Sequence, residues 1–363
     1  MTAQTPYVSR PEAEALLDAL AEALKSPQTS PTVFQVWGIG GVGKTTLARK
    51  VKELHQSTAH VADVVFGRTE GIEEPIPLMR KLYEQLAPHD SWSRDPFWEK
   101  YDLYFETVHQ LNTEPASGRG VVSDTQVKQV KDLLRLGVDV VGKWVLTGAQ
   151  EKVAEQVVDR GTDAAVAALS LKDDLQGLLQ QHRATKRDQA LQRLMLEPLP
   201  LLTQAFVEGL RQQTKQKPVV LVLDTYEKAH PDIDTWLWRT LLGNTALSQI
   251  AVRLVVTGRY CVLRAEGWRK LQQDTNCLYE RTFERFNQEQ TRDYLGQIGL
   301  TDETEVAQIY QATRGLPYYL NWVREQRLKG NALNFAEGNQ AIVRLLVEGL
   351  TPNQQQVVQL AAC

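Results

Sequence analysis

The run Gly38-Ile39-Gly40-Gly41-Val42-Gly43-Lys44-Thr45 has the spacing G-x-x-x-x-G-K-[ST] of a loop that grips a polyphosphate. Its glycines let the backbone turn tightly and bring N–H groups close to phosphate oxygens, and a helix that starts behind the loop adds its positive end. Gly38, Gly40, Gly41, Val42 and Gly43 supply that backbone. Lys44 offers a point charge to the β- and γ-phosphates, and Thr45 a hydroxyl to Mg²⁺. Thr46 stands next in the helix and reaches the α-phosphate side. The chemistry specified is binding of a nucleoside triphosphate, with ATP or ADP and Mg²⁺ as the expected cofactors. A chance glycine-rich turn is the alternative, and a strand before the loop with a helix after it weighs against chance.

A magnesium ion held by one threonine needs a carboxylate opposite. Asp224 closes the apolar run Val219-Val220-Leu221-Val222-Leu223, at the strand end where an open α/β sheet places ligand groups. An aspartate capping the next helix is the plainer reading of the same residue. Glu227 is the nearest carboxylate able to orient or deprotonate water, and it equally fits a solvated glutamate in a first helical turn. Arg259 follows Val255-Val256-Thr257-Gly258 and sets a cation at a strand end, suited to a γ-phosphate or simply to solvent.

These groups need a sheet to bring them together. Val33–Trp37 reads as a strand, Thr45–His55 as a helix and Val61–Phe66 as a second strand, the opening of an α/β sheet. Val219–Asp224 is apolar on both faces, as a buried parallel strand is; Val252–Thr257 reads as another buried strand, and strand character returns at Leu278–Phe283. A lead helix over Pro11–Leu24 carries Leu16, Leu17, Leu20 and Leu24 on one face, with Ser9 and Glu12 as a capping box. Long helical stretches fill about 74–216, and helices are predicted at Gln288–Ile298, Glu303–Thr313, Pro317–Leu328, Asn339–Leu346 and from Asn353 onward. The fold class predicted is α/β: a P-loop NTPase with a parallel sheet flanked by helices, a large helical insertion and a C-terminal helical lid domain.

The 363 residues carry 41 Lys and Arg against 44 Asp and Glu. That near balance provides no global field for nucleic acid or anionic lipid, and no basic stripe marks a DNA-binding face. Cys261, Cys277 and Cys363 form no CxxC pair, so a disulfide framework or zinc knuckle is not indicated and a reducing cytoplasm is expected. No apolar run approaches the length of a membrane span.

The segments Val8-Ser9-Arg10-Pro11-Glu12, Gly38 to Thr46, Leu221 to Asp224, Thr257-Gly258-Arg259 and Gly315-Leu316-Pro317 occur in an order that resembles the STAND class of P-loop NTPases, NB-ARC ATPases among them. The resemblance implies a cytoplasmic signalling or defence ATPase that hydrolyses slowly. It implies self-association on ATP binding and a trigger ligand or protein sensed elsewhere. Arg10 would match the arginine of the family's nucleotide box, although Ser9 and Pro11 stand where a glycine and a glutamate are usual. Pro317 would match the proline packed on adenine; locally, Gly315 also suits a helix C′ position and Pro317 the first turn of the next helix. Where the family often has two adjacent carboxylates, Asp224 is followed here by Thr225, Tyr226 and Glu227. The resemblance divides the chain into a lead segment 1–30, an NTPase domain 31–285 with the insertion at about 74–216, a lid 286–338 and the start of a winged helix 339–363. On that division the chain is expected to be a fragment. A nucleotide-dependent scaffold or transcriptional regulator is the rival reading, and a small-molecule kinase a more distant one.

Overall fold

The computed structural model describes residues 6–26, 31–68, 72–89, 95–113, 175–177, 179–180, 182–243, 245–331 and 333. The expected winged-helix start at 339–363 and residues 114–174 of the expected helical insertion lie outside the described residues. The chain forms two compact units: Met1–Arg68 with Val220–Lys228 and Arg253–Cys363, and Thr69–Val219 with Ala229–Val252.

The first unit holds a five-stranded sheet of order β2-β3-β4-β1-β5, built from β1 (Val33–Trp37), β2 (His60–Val65), β3 (Val219–Asp224), β4 (Val252–Gly258) and β5 (Leu278–Thr282). β1 runs parallel to β4, with Val33 opposite Leu254, and parallel to β5, with Val33 opposite Leu278. β3 and β4 are buried along their whole length, which explains the apolar run of β3 and the valines and leucine around Arg253 in β4, while edge strand β5 is partly exposed and carries Glu280 and Arg281. Because β4 lies between β1 and β3, the ends of all three strands open on one sheet edge. The chemistry-bearing residues are placed by that order.

Helix α1 (Pro11–Lys25) buries Ala13, Leu16, Leu17, Leu20, Ala23 and Leu24, the face its leucine spacing predicts. The capping box at its start is a correction. Pro11 takes the first helical position, so Arg10 is the N-cap and makes no side-chain capping bond; Ser9 instead donates to Glu14 Oε1 at 2.9 Å. At the other end Arg253, a β4 residue with 1% exposure, donates to the Ala23 and Ser26 carbonyls at 2.7 and 3.1 Å. It thereby satisfies carbonyls that a helix end leaves without partners. Phosphate-loop helix α2 (Lys44–His55) packs Leu47, Ala48 and Val51 into the same core as Phe34, Val36, Val222 and Val255.

Three further helices, Gln288–Gln297, Glu303–Thr313 and Pro317–Leu328, complete this unit around Phe286, Leu295, Val306, Ile309, Leu320 and Val323. The first starts with a full capping box between Asn287 and Gln290. The second ends through Arg314 and Gly315, both left-handed at φ 50° and 65°, and Pro317 begins the third, so both local readings of that glycine and proline hold.

The second unit contains α3 (Pro75–Leu86), α4 (Pro96–Thr113) and helices Gln189–Leu196 and Pro198–Thr214. Their core is aromatic: Tyr83, Phe97, Trp98 and Phe206 lie with ring centroids 4.7–5.9 Å apart. Asp95 caps α4 by accepting from the Phe97 and Trp98 N–H groups and also accepts from the Tyr83 hydroxyl at 2.6 Å. Trp236 and Trp238 fall in a π-helical turn, Trp236–Leu241, where Trp236 donates to Thr203 Oγ1 at 2.9 Å. Among the described residues, no helix is long and apolar enough to cross a membrane.

Gly315 makes the most sharply defined fold contact. Its carbonyl accepts from the Phe286 N–H at 2.8 Å, and an added Cβ would stand 2.0 Å from the Phe286 carbonyl oxygen. Gly315→Ala is expected to lose about 1–3 kcal/mol of stability, read as a lower urea midpoint with an unchanged slope.

Candidate functional site

The phosphate loop is held from outside. The Gly38 N–H donates to the Gly258 carbonyl at 3.3 Å, and a Cβ on Gly38 would lie 2.3 Å from the Phe283 carbonyl, so only glycine fits between the exits of β4 and β5. Gly41 and Gly43 take left-handed φ of 80° and 98°. Three loop carbonyls are then engaged in turn: Gly41 by the Tyr318 N–H at 3.0 Å, Val42 by the Arg10 guanidinium at 2.7 Å and Gly43 by the Leu47 N–H at 3.1 Å. Carbonyls tied outward leave the loop's amides as its means of meeting an anion.

A cavity of about 790 Å³ opens over this loop. Gly40, Gly41, Gly43, Lys44, Thr45 and Thr46 line it, as do Arg10, Asp224, Glu227, Arg259 and Pro317. Of the residues singled out from sequence, Gly38 and Val42 do not; Gly38 makes the close turn described above and Val42 is fully buried beneath the loop. The volume is within the range of nucleotide-sized sites.

Lys44 lies across the loop and donates to the Gly38 and Ile39 carbonyls, both at 2.8 Å. Burial pushes its pKa down to about 8; Glu227 and Asp224 raise it while Arg259 lowers it further. Those couplings set the ammonium in the joint field of three residues brought from β3 and β4. Asp224, only 4% exposed, accepts at Oδ1 from the Thr257 hydroxyl and from the Thr225 N–H at 2.9 Å. Its Oδ2 is buried without a hydrogen-bond partner among the described residues. A buried carboxylate oxygen of this kind calls for a cation, and with the Thr45 hydroxyl on the same cavity the pair fits Mg²⁺, which is commonly held by one or two protein oxygens plus phosphates and water.

Glu227 and Arg259 hold each other. The Arg259 Nε lies 3.2 Å from Glu227 Oε1 and its backbone N–H donates to Oε2 at 3.0 Å, with both side chains mostly buried. The turn that aims Glu227 this way passes through Thr225 at φ 60°, a strained conformation for a β-branched residue. Neither residue is the solvated side chain that the plainer readings allowed.

Arg10 is 6% exposed, with its guanidinium 4.4 and 4.5 Å from the ring centres of Phe283 and Phe286 and a second bond to the Glu284 carbonyl at 3.1 Å. Burial lowers its pKa to about 10, with Glu12 and Tyr7 opposing. Pro317 lines the cavity, and the residue after it, Tyr318, holds the loop. Sequence reasoning missed Thr257 as the partner of Asp224 and Tyr318 as the partner of Gly41. A strand-end threonine beside a strand-end aspartate on the neighbouring strand was the available signal for the first.

The strand order, the glycine loop, its lysine and the buried aspartate together define a nucleotide-binding P-loop ATPase fold. Residues 13–101 match the model of the NB-ARC domain, a span that runs from α1 through the phosphate loop into α4. Over that span the chain is similar to NB-ARC P-loop NTPases. No curated protein matches the sequence. Among solved structures, the crystal structure of Cdc6p from Pyrobaculum aerophilum is similar at 18% identity and a TM-score of 0.36, over 81% of this chain and 51% of that one. The chain thus spans about half the length of that protein.

Below a pKa of about 8 Lys44 is an ammonium that attracts phosphate, and above it the charge is lost. ADP binding followed by calorimetry is therefore expected to weaken by about tenfold between pH 7 and pH 9, with proton uptake on binding at the higher pH. An affinity unchanged across that window would show that Lys44 does not carry the phosphate contact.

Proposed function

We propose that this NTPase is an ATP-driven molecular switch of the STAND type, acting in the cytoplasm in signalling or defence. ADP keeps the lid helices against the phosphate loop, exchange for ATP loosens them and permits self-association, and slow hydrolysis resets the protein. Thr45 and Asp224 would hold Mg²⁺, which when bound shields the phosphate charge. Lys44 and the amides of Gly40, Gly41 and Gly43 would grip the phosphates, with Thr46 on the α-phosphate side. Arg259 would meet the γ-phosphate, and Glu227 would orient the attacking water and take its proton.

The observation that carries this reading is the joint state of loop, lid and catalytic pair. The lid reaches the loop directly through Tyr318 N–H and the Gly41 carbonyl, so a change in loop geometry on gain or loss of phosphate bears on the lid at once. Arg259 is the cation nearest in kind to a γ-phosphate sensor, yet it is paired with Glu227. A γ-phosphate competing for Arg259 would release the Glu227 carboxylate, coupling recognition of ATP to the appearance of the base. Arg10 and Pro317 would then be the lead-segment and lid contributions to the nucleotide cavity, with Arg10 acting chiefly through the Val42 carbonyl.

A second reading, a scaffold or regulator that binds nucleotide but barely turns it over, is favoured by the same Glu227–Arg259 pair, since a carboxylate held by two donors is a weak base. Single-turnover hydrolysis separates the two. In the switch, Glu227→Gln is expected to keep ATP binding, to lower the hydrolysis rate by about 10²- to 10⁴-fold and to raise the assembled fraction in light scattering. Lys44→Ala is expected to lose nucleotide binding altogether. A Glu227→Gln rate equal to wild type would remove Glu227 from the mechanism and favour the scaffold.

A further inference from the structure

The cavity has an apolar wall as well as a phosphate-binding one. Val8, Phe286 and Tyr294 belong to one hydrophobic cluster, and all three line the cavity together with Pro317. Tyr294 sits in the helix Gln288–Gln297, 3% exposed, with its ring centroid 6.3 Å from that of Phe286. Its hydroxyl is buried and has no hydrogen-bond partner among the described residues. A core position that wanted only the ring would be better served by phenylalanine, because a buried hydroxyl left unbonded is costly. Val8, Phe286 and Pro317 offer hydrocarbon and aromatic surface beside it, and Tyr7, Tyr318 and Asn321 line the same cavity nearby.

A purine base has the matching character, flat and apolar on its faces and studded with hydrogen-bonding atoms along its edge. We propose that the Tyr294 hydroxyl is the group that hydrogen-bonds the base edge of a bound purine nucleotide, making Tyr294 a base-recognition residue. The inference rests on the nucleotide-site reading above and adds to it the residue that distinguishes a nucleotide from a bare polyphosphate. Burial, foremost, raises the Tyr294 pKa to about 12, with Arg324 opposing and Glu325 adding. The hydroxyl therefore stays neutral at physiological pH and can either donate to a ring nitrogen or accept from an exocyclic amine.

The test compares wild type with Tyr294→Phe, using ADP and inorganic pyrophosphate as separate calorimetric probes in the presence of Mg²⁺, together with melting of the ligand-free protein. The expected result is ADP binding weaker by about tenfold in Tyr294→Phe, pyrophosphate binding unchanged, and a ligand-free melting temperature equal to or above wild type. A purely structural hydroxyl would instead lower that melting temperature and leave the preference for ADP over pyrophosphate intact. That outcome, or equal loss of both ligands, overturns the proposal while leaving the phosphate site standing. Should wild type bind neither probe, the phosphate site itself fails and the base-recognition proposal with it.

Discussion

One oxygen of a buried carboxylate organises this site. Asp224 is placed by β3 at the sheet edge, with Oδ1 bonded to Thr257 and Thr225 and Oδ2 without a hydrogen-bond partner among the described residues. A charge so enclosed is tolerated only where a cation completes it. The surrounding residues follow from that need. Thr257 comes from the neighbouring strand to fix the carboxylate's rotation, the left-handed Thr225 turns the chain sharply enough to keep its N–H on Oδ1, and the P-loop threonine lines the same cavity. The strand order makes this possible, since β4 lies between the loop-bearing β1 and the acid-bearing β3 and sets Thr257 and Arg259 between the two halves of the site.

The loop is shaped by its neighbours more than by its own glycines. Glycine permits the turn at Gly38, but the Phe283 carbonyl and the Gly258 carbonyl define how narrow that turn is. Arg10 and Tyr318 reach the Val42 and Gly41 carbonyls from the start of α1 and from the helix Pro317–Leu328, respectively. Distant parts of the chain thus converge on adjacent peptide units. The helix Pro317–Leu328 donates a hydrogen bond to the phosphate loop through Tyr318, and the proposed switch rests on coupling through that contact.

Much of this was legible in the sequence for a simple reason: the phosphate loop and the acidic strand write their chemistry into contiguous residues. The five strands and the three helices after β5 show equally well, because periodicity and apolar runs report burial directly. The roles that depend on partners far along the chain were not legible. Arg10 resembles a nucleotide contact in sequence, whereas its guanidinium is spent on carbonyls at Val42 and Glu284, and nothing local announces that. Glu227 and Arg259 each looked like separate candidates; their pairing depends on a turn through a strained threonine that no propensity would place there. Ser9 and Glu12 have the spacing of a cap, but Pro11 claims the first helical position and moves the helix start past Ser9. Tyr294 carries no sequence signal at all, since one tyrosine on an amphipathic helix reads as core until its hydroxyl is found without a partner.

The central claim is that the free oxygen of Asp224 completes a magnesium site shared with nucleotide phosphates, and the Mg²⁺ dependence of ADP binding in Asp224→Asn tests it most directly. Asparagine keeps the shape and the bond to Thr257 while removing the charge. The account predicts that Mg²⁺ tightens ADP binding to the wild-type protein and has no effect on the variant. An identical Mg²⁺ dependence in the two proteins would contradict it.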